Sequence, residues 1–184
     1  MKTLILNGSP RANGDTVSLI RELTKKLPGE YKIVDAYHCD VSPCVDCRYC
    51  WEHSGCAIAD GMQEIYDYIQ ECDNILIASP VYFSELTGKL LDLGSGLQTY
   101  YCATFFRKEK PIPKEKKGAV MLVGGGDGHM EKAYSTARIL LRHMNCQSIH
   151  DLVSSHNTNV TPAADDANAL QGIDSIINFF ANPH

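Results

Sequence analysis

Short apolar runs alternate along the chain with segments in which apolar residues recur at helical spacing. The runs predict five β-strands, near residues 4–6, 31–36, 74–78, 119–123 and 148–153. The intervening segments predict amphipathic helices over about 17–27, 62–69, 86–97, 133–144 and 170–180. Five strands joined by crossover helices predict an α/β fold, a doubly wound five-stranded parallel sheet with helices on both faces.

The length and net charge of the chain limit the number of domains and the kinds of partner. A chain of 184 residues without repeat or linker predicts one domain over 1–184, with a cysteine-rich insertion at about 37–60. The net charge of -5 argues against a nucleic-acid partner or an anionic membrane surface. The apolar run at the start is too short for a signal peptide, and no later run is long enough to span a bilayer. We therefore expect a cytoplasmic protein with reduced thiols.

The loop after the first strand, residues 7–16, opens directly onto a helix. Its side-chain donors and its second glycine are Ser9, Arg11, Asn13, Gly14 and Thr16. The free N–H groups and partial positive charge of a helix N-terminus bind phosphate. The glycine spacing matches neither a Walker loop nor a dinucleotide fingerprint. A plain turn in which Asp15 or Thr16 caps the helix is the alternative, but the pattern favours phosphate binding.

Two further loops follow strands three and four, whose carboxyl ends share an edge with strand one in such a sheet. The first carries Pro80, Val81, Tyr82 and Phe83, and the second carries Gly124, Gly125 and Gly126. A turn with two half-buried aromatics and a flexible glycine connection are the plainer interpretations. Beside a phosphate loop, an aromatic-walled slot suits FMN. Backbone amides near Val81 and Gly125 are candidates to stabilise negative charge on a reduced flavin ring.

Four cysteines lie within thirteen residues, spaced Cys-x-x-Cys-x-x-Cys-x(5)-Cys. They are Cys44, Cys47, Cys50 and Cys56. Four thiolates at this spacing suit a cubane iron–sulfur cluster, whereas structural zinc more often takes two separated pairs. Reduced, unliganded thiols are the third alternative. Trp51 is expected to pack this loop against the protein, and the other cysteines, Cys39, Cys72, Cys102 and Cys146, are expected to be reduced packing residues.

The segments LILNGSPRANGDT and SPVYFSELTGKLLD, with the cysteine stretch, resemble the flavodoxin-like NAD(P)H-dependent FMN reductase family. The cysteine spacing resembles its iron–sulfur flavoprotein branch. The resemblance implies non-covalent FMN, with Ser9, Arg11, Asn13 and Thr16 at the phosphate and residues 80–83 along the isoalloxazine. It also implies NAD(P)H as co-substrate and a homodimer or homotetramer with the flavin near a subunit interface. A [4Fe–4S] cluster on the four cysteines is the corresponding expectation.

The sequence departs from the family pattern in two places. Asp15 stands where relatives usually have Asn, so its side chain is expected to turn away from the phosphate. Gly94 and Gly96 lie in the helix after the second motif and predict a kink.

The predicted function is an FMN-dependent oxidoreductase that passes electrons from a reduced nicotinamide or protein donor to a small acceptor. No catalytic acid or base is required or identified, because the cofactor supplies the chemistry. A non-enzymatic flavodoxin-like electron carrier is one alternative. A zinc-binding or redox-sensing protein on the same fold is the other.

Overall fold

A computed structural model describes residues 1–182; residues 183 and 184, which the predicted domain includes, lie outside it. The strands are β1 Lys2–Asn7, β2 Glu30–Asp35, β3 Asn74–Pro80, β4 Lys116–Val123, β5 Cys146–Ile149 and β6 Val153–Ser155. They form a central parallel sheet with the strand order β2-β1-β3-β4-β5, and β6 also pairs with β4. The predicted doubly wound parallel sheet is confirmed.

The fifth predicted strand, over 148–153, was wrong as a single strand. β5 pairs with the start of β4, and β6 pairs with the end of β4 at Met121–Val123. Two polar residues, His150 and Asp151, interrupt the apolar run between them. His150 Nε2 lies 2.8 Å from Ser175 Oγ in a hydrogen bond, so its ring turns to the neighbouring helix. One edge strand is thereby divided in two.

Helices cover both faces of the sheet. They are α1 Asp15–Lys26, α2 Tyr49–Glu52, α3 Met62–Glu71, α4 Gly88–Ser95, α5 Gln98–Phe105, α6 Glu131–His143 and α7 Ala167–Ala181. On one face, α1 and α7 pack against alternate strand residues such as Ile5 and Leu76. On the other, α3 to α6 pack against Leu4, Leu6 and Ile75. Within residues 1–182, no helix is both long and apolar enough to cross a membrane.

The predicted kink in the helix over 86–97 is present, as a break between α4 and α5. A Cβ on Gly94 would lie 3.0 Å from Leu140 Cδ1, and one on Gly96 would lie 3.0 Å from Met62 Cε. The Gly96 carbonyl, at this break, accepts a hydrogen bond of 2.7 Å from the Tyr66 hydroxyl. Close packing on α6 and α3 therefore accounts for both glycines.

Asp166 caps the N-terminus of α7 and links this helix to β6 by a hydrogen bond. Its carboxylate accepts hydrogen bonds from Asn168 N at 3.0 Å, Ala169 N at 3.2 Å and Ser155 Oγ at 2.8 Å. Burial alone would raise the pKa of Asp166, but these hydrogen bonds outweigh it and lower the pKa. The stabilisation is therefore present above the unfolded-state pKa of about 3.9 and is lost as pH falls through the lower folded value.

Asp166→Ala is expected to lower the free energy of unfolding by about 1 kcal/mol at neutral pH, because it removes the helix cap. Urea unfolding at neutral pH and near pH 3 checks this, since the deficit should shrink in acid. Asp165→Ala, an exposed neighbour, is the matched control and should unfold like the native protein. An equal deficit at both pH values would argue against the charge contribution.

Candidate functional site

The three predicted loops meet at the carboxyl edge of the sheet. From β1 the chain passes to β2 on one side and then to β3 on the other, so the switch point lies between β1 and β3. Ligands of doubly wound sheets bind at this position. The loop after β1 is joined to β3 by Gly8 N, which donates to Ala78 O at 2.8 Å. The loop after β3 is joined to β4 by Val81 N, which donates to Val123 O at 2.9 Å.

The loop after β1 is held tightly by its own side chains. Ser9 is buried, and its N–H donates to Asn7 Oδ1 at 3.0 Å. The Ser9 hydroxyl accepts a hydrogen bond of 3.3 Å from Arg11 N. Asn7 is in turn fixed by Asp35 on β2. The Arg11 side chain is 72% exposed, so its weak ion pair with Asp15 leaves it able to turn towards an anion at the mouth of the loop.

The N-terminus of α1 carries no side-chain cap. Asp15 Oδ1 accepts instead from Ala163 N at 3.0 Å, and Asp15 Oδ2 lies 3.7 Å from Arg11 Nη2. Asp15 therefore turns away from the helix end, as expected, although it does not cap the helix. Buried Thr16 does not cap it either. Since first-turn N–H groups lack intrahelical acceptors, this end of α1 offers donors to a phosphate.

Sequence reasoning missed Arg21, which fixes the outer part of this loop. Its Nη2 donates to Ala12 O at 2.9 Å and to Asn13 Oδ1 at 2.8 Å. With its Oδ1 engaged, the Asn13 side chain offers its N–H₂ group to a ligand. The signal in the sequence was the position of Arg21, a cation about two helical turns after Asn13.

Gly8 is enclosed by residues of β3, of the loop after it and of α4. Its carbonyl accepts a hydrogen bond of 2.8 Å from Thr87 Oγ1. A Cβ at this position would lie 2.8 Å from Ser79 Oγ and 2.9 Å from Leu90 Cδ2. Thr87 precedes α4, so the phosphate loop rests on the start of that helix. No local pattern predicts this contact, because it joins residues 79 positions apart.

The loop after β3 forms a tight turn over residues 82–85. Tyr82 N donates to Glu85 O, and Glu85 N donates to Tyr82 O, both at 3.0 Å. Phe83 and Ser84 have φ values of 52° and 61°, a left-handed pair that non-glycine residues adopt at a cost. Phe83 is fully exposed at the tip and Tyr82 is 46% exposed. The interpretation with two half-buried aromatics is therefore wrong for Phe83.

The expected role of backbone amides near Val81 needs a correction. Val81 N–H donates to Val123 O, and Tyr82 N–H donates to Glu85 O. Both are therefore occupied within the protein and are not available to a flavin ring. Val81 and Pro80 lie partly buried beside β4 and can contribute only side chains and carbonyls to the slot.

The glycine loop after β4 packs on a segment that sequence reasoning missed. Gly124 N donates to Ser155 O at 2.9 Å, and Asn157 N donates to Gly126 O at 2.9 Å. A Cβ on Gly125 would lie 2.8 Å from Asn159 Nδ2. Gly125 and Gly126 are exposed, so their backbone is open to a flat ligand. The signal in the sequence was the polar run after β6, residues 156–159, which supplies the contacts to the glycine loop.

The cysteine segment lies at the other end of α4. Ser95 Oγ, at the end of that helix, accepts a hydrogen bond of 2.8 Å from Cys44 N. The eight residues of α4 span about 12 Å, which separates Ser95 from Thr87 at the carboxyl edge. The motif cysteines, Cys44, Cys47, Cys50 and Cys56, all line one cavity of about 150 Å³. The candidate flavin site and the cysteine cavity are therefore separate sites at opposite ends of α4.

Trp51 packs the cysteine segment down, as expected. Its ring stacks on Phe106 with centroids 4.2 Å apart. The cavity also contains Cys102, which sequence reasoning took for a packing residue. Cys72 and Cys146 are buried in the core with free thiols, in agreement with their expected packing role.

The four cysteines supply the donor chemistry of an iron–sulfur cluster and face a common cavity. Among residues 1–182, however, no three His, Cys, Asp or Glu side chains are grouped closely enough to hold a metal ion. Burial, followed by a hydrogen bond with Cys102, raises the pKa of Cys50 to about 11. Since metals bind thiolates, cluster formation would have to draw the thiols together and release their protons. The donor set fits the cluster, but the cysteine side chains lie too far apart to hold one without moving.

Residues 1–159 match the profile of a protein family described as NADPH-dependent FMN reductase. The chain belongs to this family. The family predicted from the sequence motifs is confirmed, and the predicted oxidoreductase class agrees with it.

Individual FMN reductase relatives point to one branch. An iron–sulfur flavoprotein of Methanosarcina thermophila is 30% identical over 160 residues, 85% of this chain and 74% of that protein. An iron–sulfur flavoprotein of Methanocaldococcus jannaschii is 33% identical over 93 residues, 49% of this chain and 48% of that protein. The second match spans about half the length of either protein. Both names support the predicted branch.

Solved structures show the same fold at low identity. An NAD(P)H:quinone oxidoreductase from Methanothermobacter marburgensis gives a TM-score of 0.73 at 15% identity, covering 100% of this chain and 99% of that one. An FMN-dependent NADH-azoreductase from Bacillus anthracis, in complex with FMN, gives 0.69 at 16% identity, covering 99% and 100%. These likenesses confirm the flavodoxin-like architecture of this FMN reductase family member.

Proposed function

We propose that the chain binds FMN at the carboxyl edge and transfers electrons from NAD(P)H through it to a small, flat acceptor. The convergence of three loops on the β1/β3 switch point carries this proposal. Each loop contributes a different property: donors for a phosphate, aromatic side chains, and glycines that admit a ring. Membership of the FMN reductase family supports the same cofactor.

The phosphate end of FMN binds at the uncapped start of α1. First-turn N–H groups donate to its oxygens, Arg11 supplies an exposed cation, and Ser9 and Asn13 shape the loop. Residues 80–83 and 124–126 flank the ring. Tyr82 and Phe83 present exposed aromatic faces beside the slot, where an aromatic substrate would find a stacking surface.

FMN supplies the hydride and single-electron chemistry, so the side chains only bind, orient and exclude water. No residue serves as a catalytic acid or base. The neighbours named as quinone oxidoreductase and azoreductase support an acceptor of flat aromatic shape.

Anaerobic mixing of the FMN-loaded protein with NADH and with NADPH tests the activity. Loss of the oxidised-flavin absorbance, followed by its return on adding a benzoquinone, is the expected result. Reduction by dithionite but by neither nicotinamide would support the non-enzymatic electron carrier instead.

The four motif cysteines hold a [4Fe–4S] cluster in this proposal. Their shared cavity, their spacing and the names of the relatives support it. Such a cluster exchanges single electrons. Iron and acid-labile sulfide in anaerobically purified protein are the expected finding, whereas zinc without iron or flavin would favour the metal-sensing alternative.

Cys56→Ser is expected to lower bound iron from about four atoms per chain to nearly none, because a cubane needs four thiolates. Iron analysis and the visible absorbance of the cluster measure this change. Cys39→Ser is the control, since Cys39 does not line the cavity. Unchanged iron in the Cys56 variant would contradict the proposed ligand set.

The oligomeric state and the cellular location are also proposed from the resemblance to the family. A homodimer or homotetramer in the cytoplasm is proposed, with the fully exposed Phe83 ring beside the flavin slot as the supporting feature. Light scattering of the native protein and of Phe83→Ser tests the assembly. A monomeric native protein would overturn it.

A further inference from the structure

Cys102 is a fifth thiol in the cysteine cavity. It lies on α5, is 4% exposed and lines the same cavity as the four motif cysteines. Cys50, on α2, lines this cavity as well. Cys44 and Cys47 are exposed on the preceding loop. Cys50 and Cys102 therefore lie beside one cavity, on two helices that pack against each other.

Three contacts hold α2 and the residues after it against α5. The ring of Trp51 stacks on Phe106 at 4.2 Å. Arg107 Nη1 donates to the carbonyl of Cys50. On the far side, Thr99 Oγ1 donates to Gly55 O at 2.9 Å. Because Thr99 and Phe106 lie on either side of Cys102 in the sequence, these contacts hold Cys50 and Cys102 beside the cavity on a fixed helix pair.

We propose that Cys50 and Cys102 are a redox-active dithiol that closes to a disulfide between α2 and α5 when no cluster occupies the cavity. Hydrogen peroxide is the oxidant. The Cys50 thiolate attacks a peroxide oxygen, the O–O bond breaks, and a sulfenic acid and hydroxide form. The Cys102 thiolate then attacks the Cys50 sulfur, and the S–O bond breaks as a second hydroxide leaves. The two thiol protons convert both hydroxides to water, and two electrons pass from sulfur to peroxide.

The disulfide has a consequence for the metal site. Cys50 cannot be a cluster ligand while it is bonded to Cys102, so oxidation blocks cluster assembly until a reductant opens the pair. The carboxyl edge lies at the other end of α4 and remains able to bind FMN. This consequence, unlike the disulfide itself, rests on the proposed cluster.

Metal-free protein treated with hydrogen peroxide and then alkylated provides the test. The expected product links the Cys50 and Cys102 peptides and leaves six of the eight cysteines alkylated. Because Cys102 is only 4% exposed, the incubation is followed over hours. Cys102→Ser and Cys102→Ala should lack the cross-link, and Cys39→Ser should keep it. A bond from Cys50 to Cys44 or Cys47, or eight alkylated cysteines, would overturn the proposal.

Iron uptake separates the disulfide from the cluster. Oxidised protein given ferrous iron and sulfide should take up no iron until dithiothreitol is added. Equal uptake by oxidised and reduced protein would contradict the block. If the reduced protein also takes up no iron, the proposed cluster is wrong, and the cross-link map decides the disulfide alone.

Discussion

Ser9→Asp is expected to weaken FMN binding strongly while leaving the protein folded. Ser9 lies buried in the loop that leads to the uncapped start of α1. A carboxylate there would take the place of the phosphate at the first-turn N–H groups and would repel the phosphate dianion. We expect FMN affinity to fall about a hundredfold or more, about 2.8 kcal/mol.

Quenching of flavin fluorescence measures the affinity, and circular dichroism checks the fold. Ser9→Asn is the matched control, since its amide has nearly the shape of the carboxylate and no charge. It should retain most of the FMN affinity. An Asp variant that binds FMN as tightly as the Asn variant would show that the phosphate lies elsewhere.

Gly8→Ala is expected to lower both stability and FMN affinity. The new Cβ would meet Ser79 Oγ at 2.8 Å, Leu90 Cδ2 at 2.9 Å and Thr87 Oγ1 at 3.0 Å. Overpacking of this kind costs about 1–3 kcal/mol. The loop can relieve the contacts only by moving away from Thr87, which lengthens the hydrogen bond to Gly8 O and displaces the phosphate donors. We expect FMN affinity to fall at least about tenfold.

Gly128→Ala is the matched control for Gly8→Ala. A Cβ on Gly128 meets no atom within 4 Å, and this glycine is exposed. Urea unfolding and FMN titration of both variants compare a crowded glycine with an open one. If Gly8→Ala unfolds at the native urea concentration and binds FMN normally, the enclosure of Gly8 has no functional importance.

The sheet and its three loops could be predicted because their signals are local. Apolar runs mark buried strands wherever they occur, and the loops follow directly from the strand ends. The supports of the loops could not be predicted, because Thr87 acts on Gly8, and Asn159 acts on Gly125, through contacts between distant segments. The split of the fifth strand depended on the contact between His150 and Ser175 across two elements.

The cysteine site likewise depends on contacts between distant segments that the sequence does not reveal. Their spacing identified which thiols line the cavity but not how far apart they lie, because that depends on where α5 holds the loop. Cys102 could not be recognised as a member, since it is 46 residues beyond Cys56 and shares no spacing with the motif. Only the packing of α2 on α5 brings it to the cavity that Cys50 lines.

Titration of flavin-free protein with FMN and with riboflavin tests the central claim most directly. The two ligands share the ring and differ in the phosphate. Hydrogen bonds to a charged group contribute about 1.5–3 kcal/mol each, so we expect FMN to bind about a hundredfold more tightly than riboflavin. Ser9→Asp should remove most of that difference. Equal affinities for the two flavins, or no binding of either, would contradict the account.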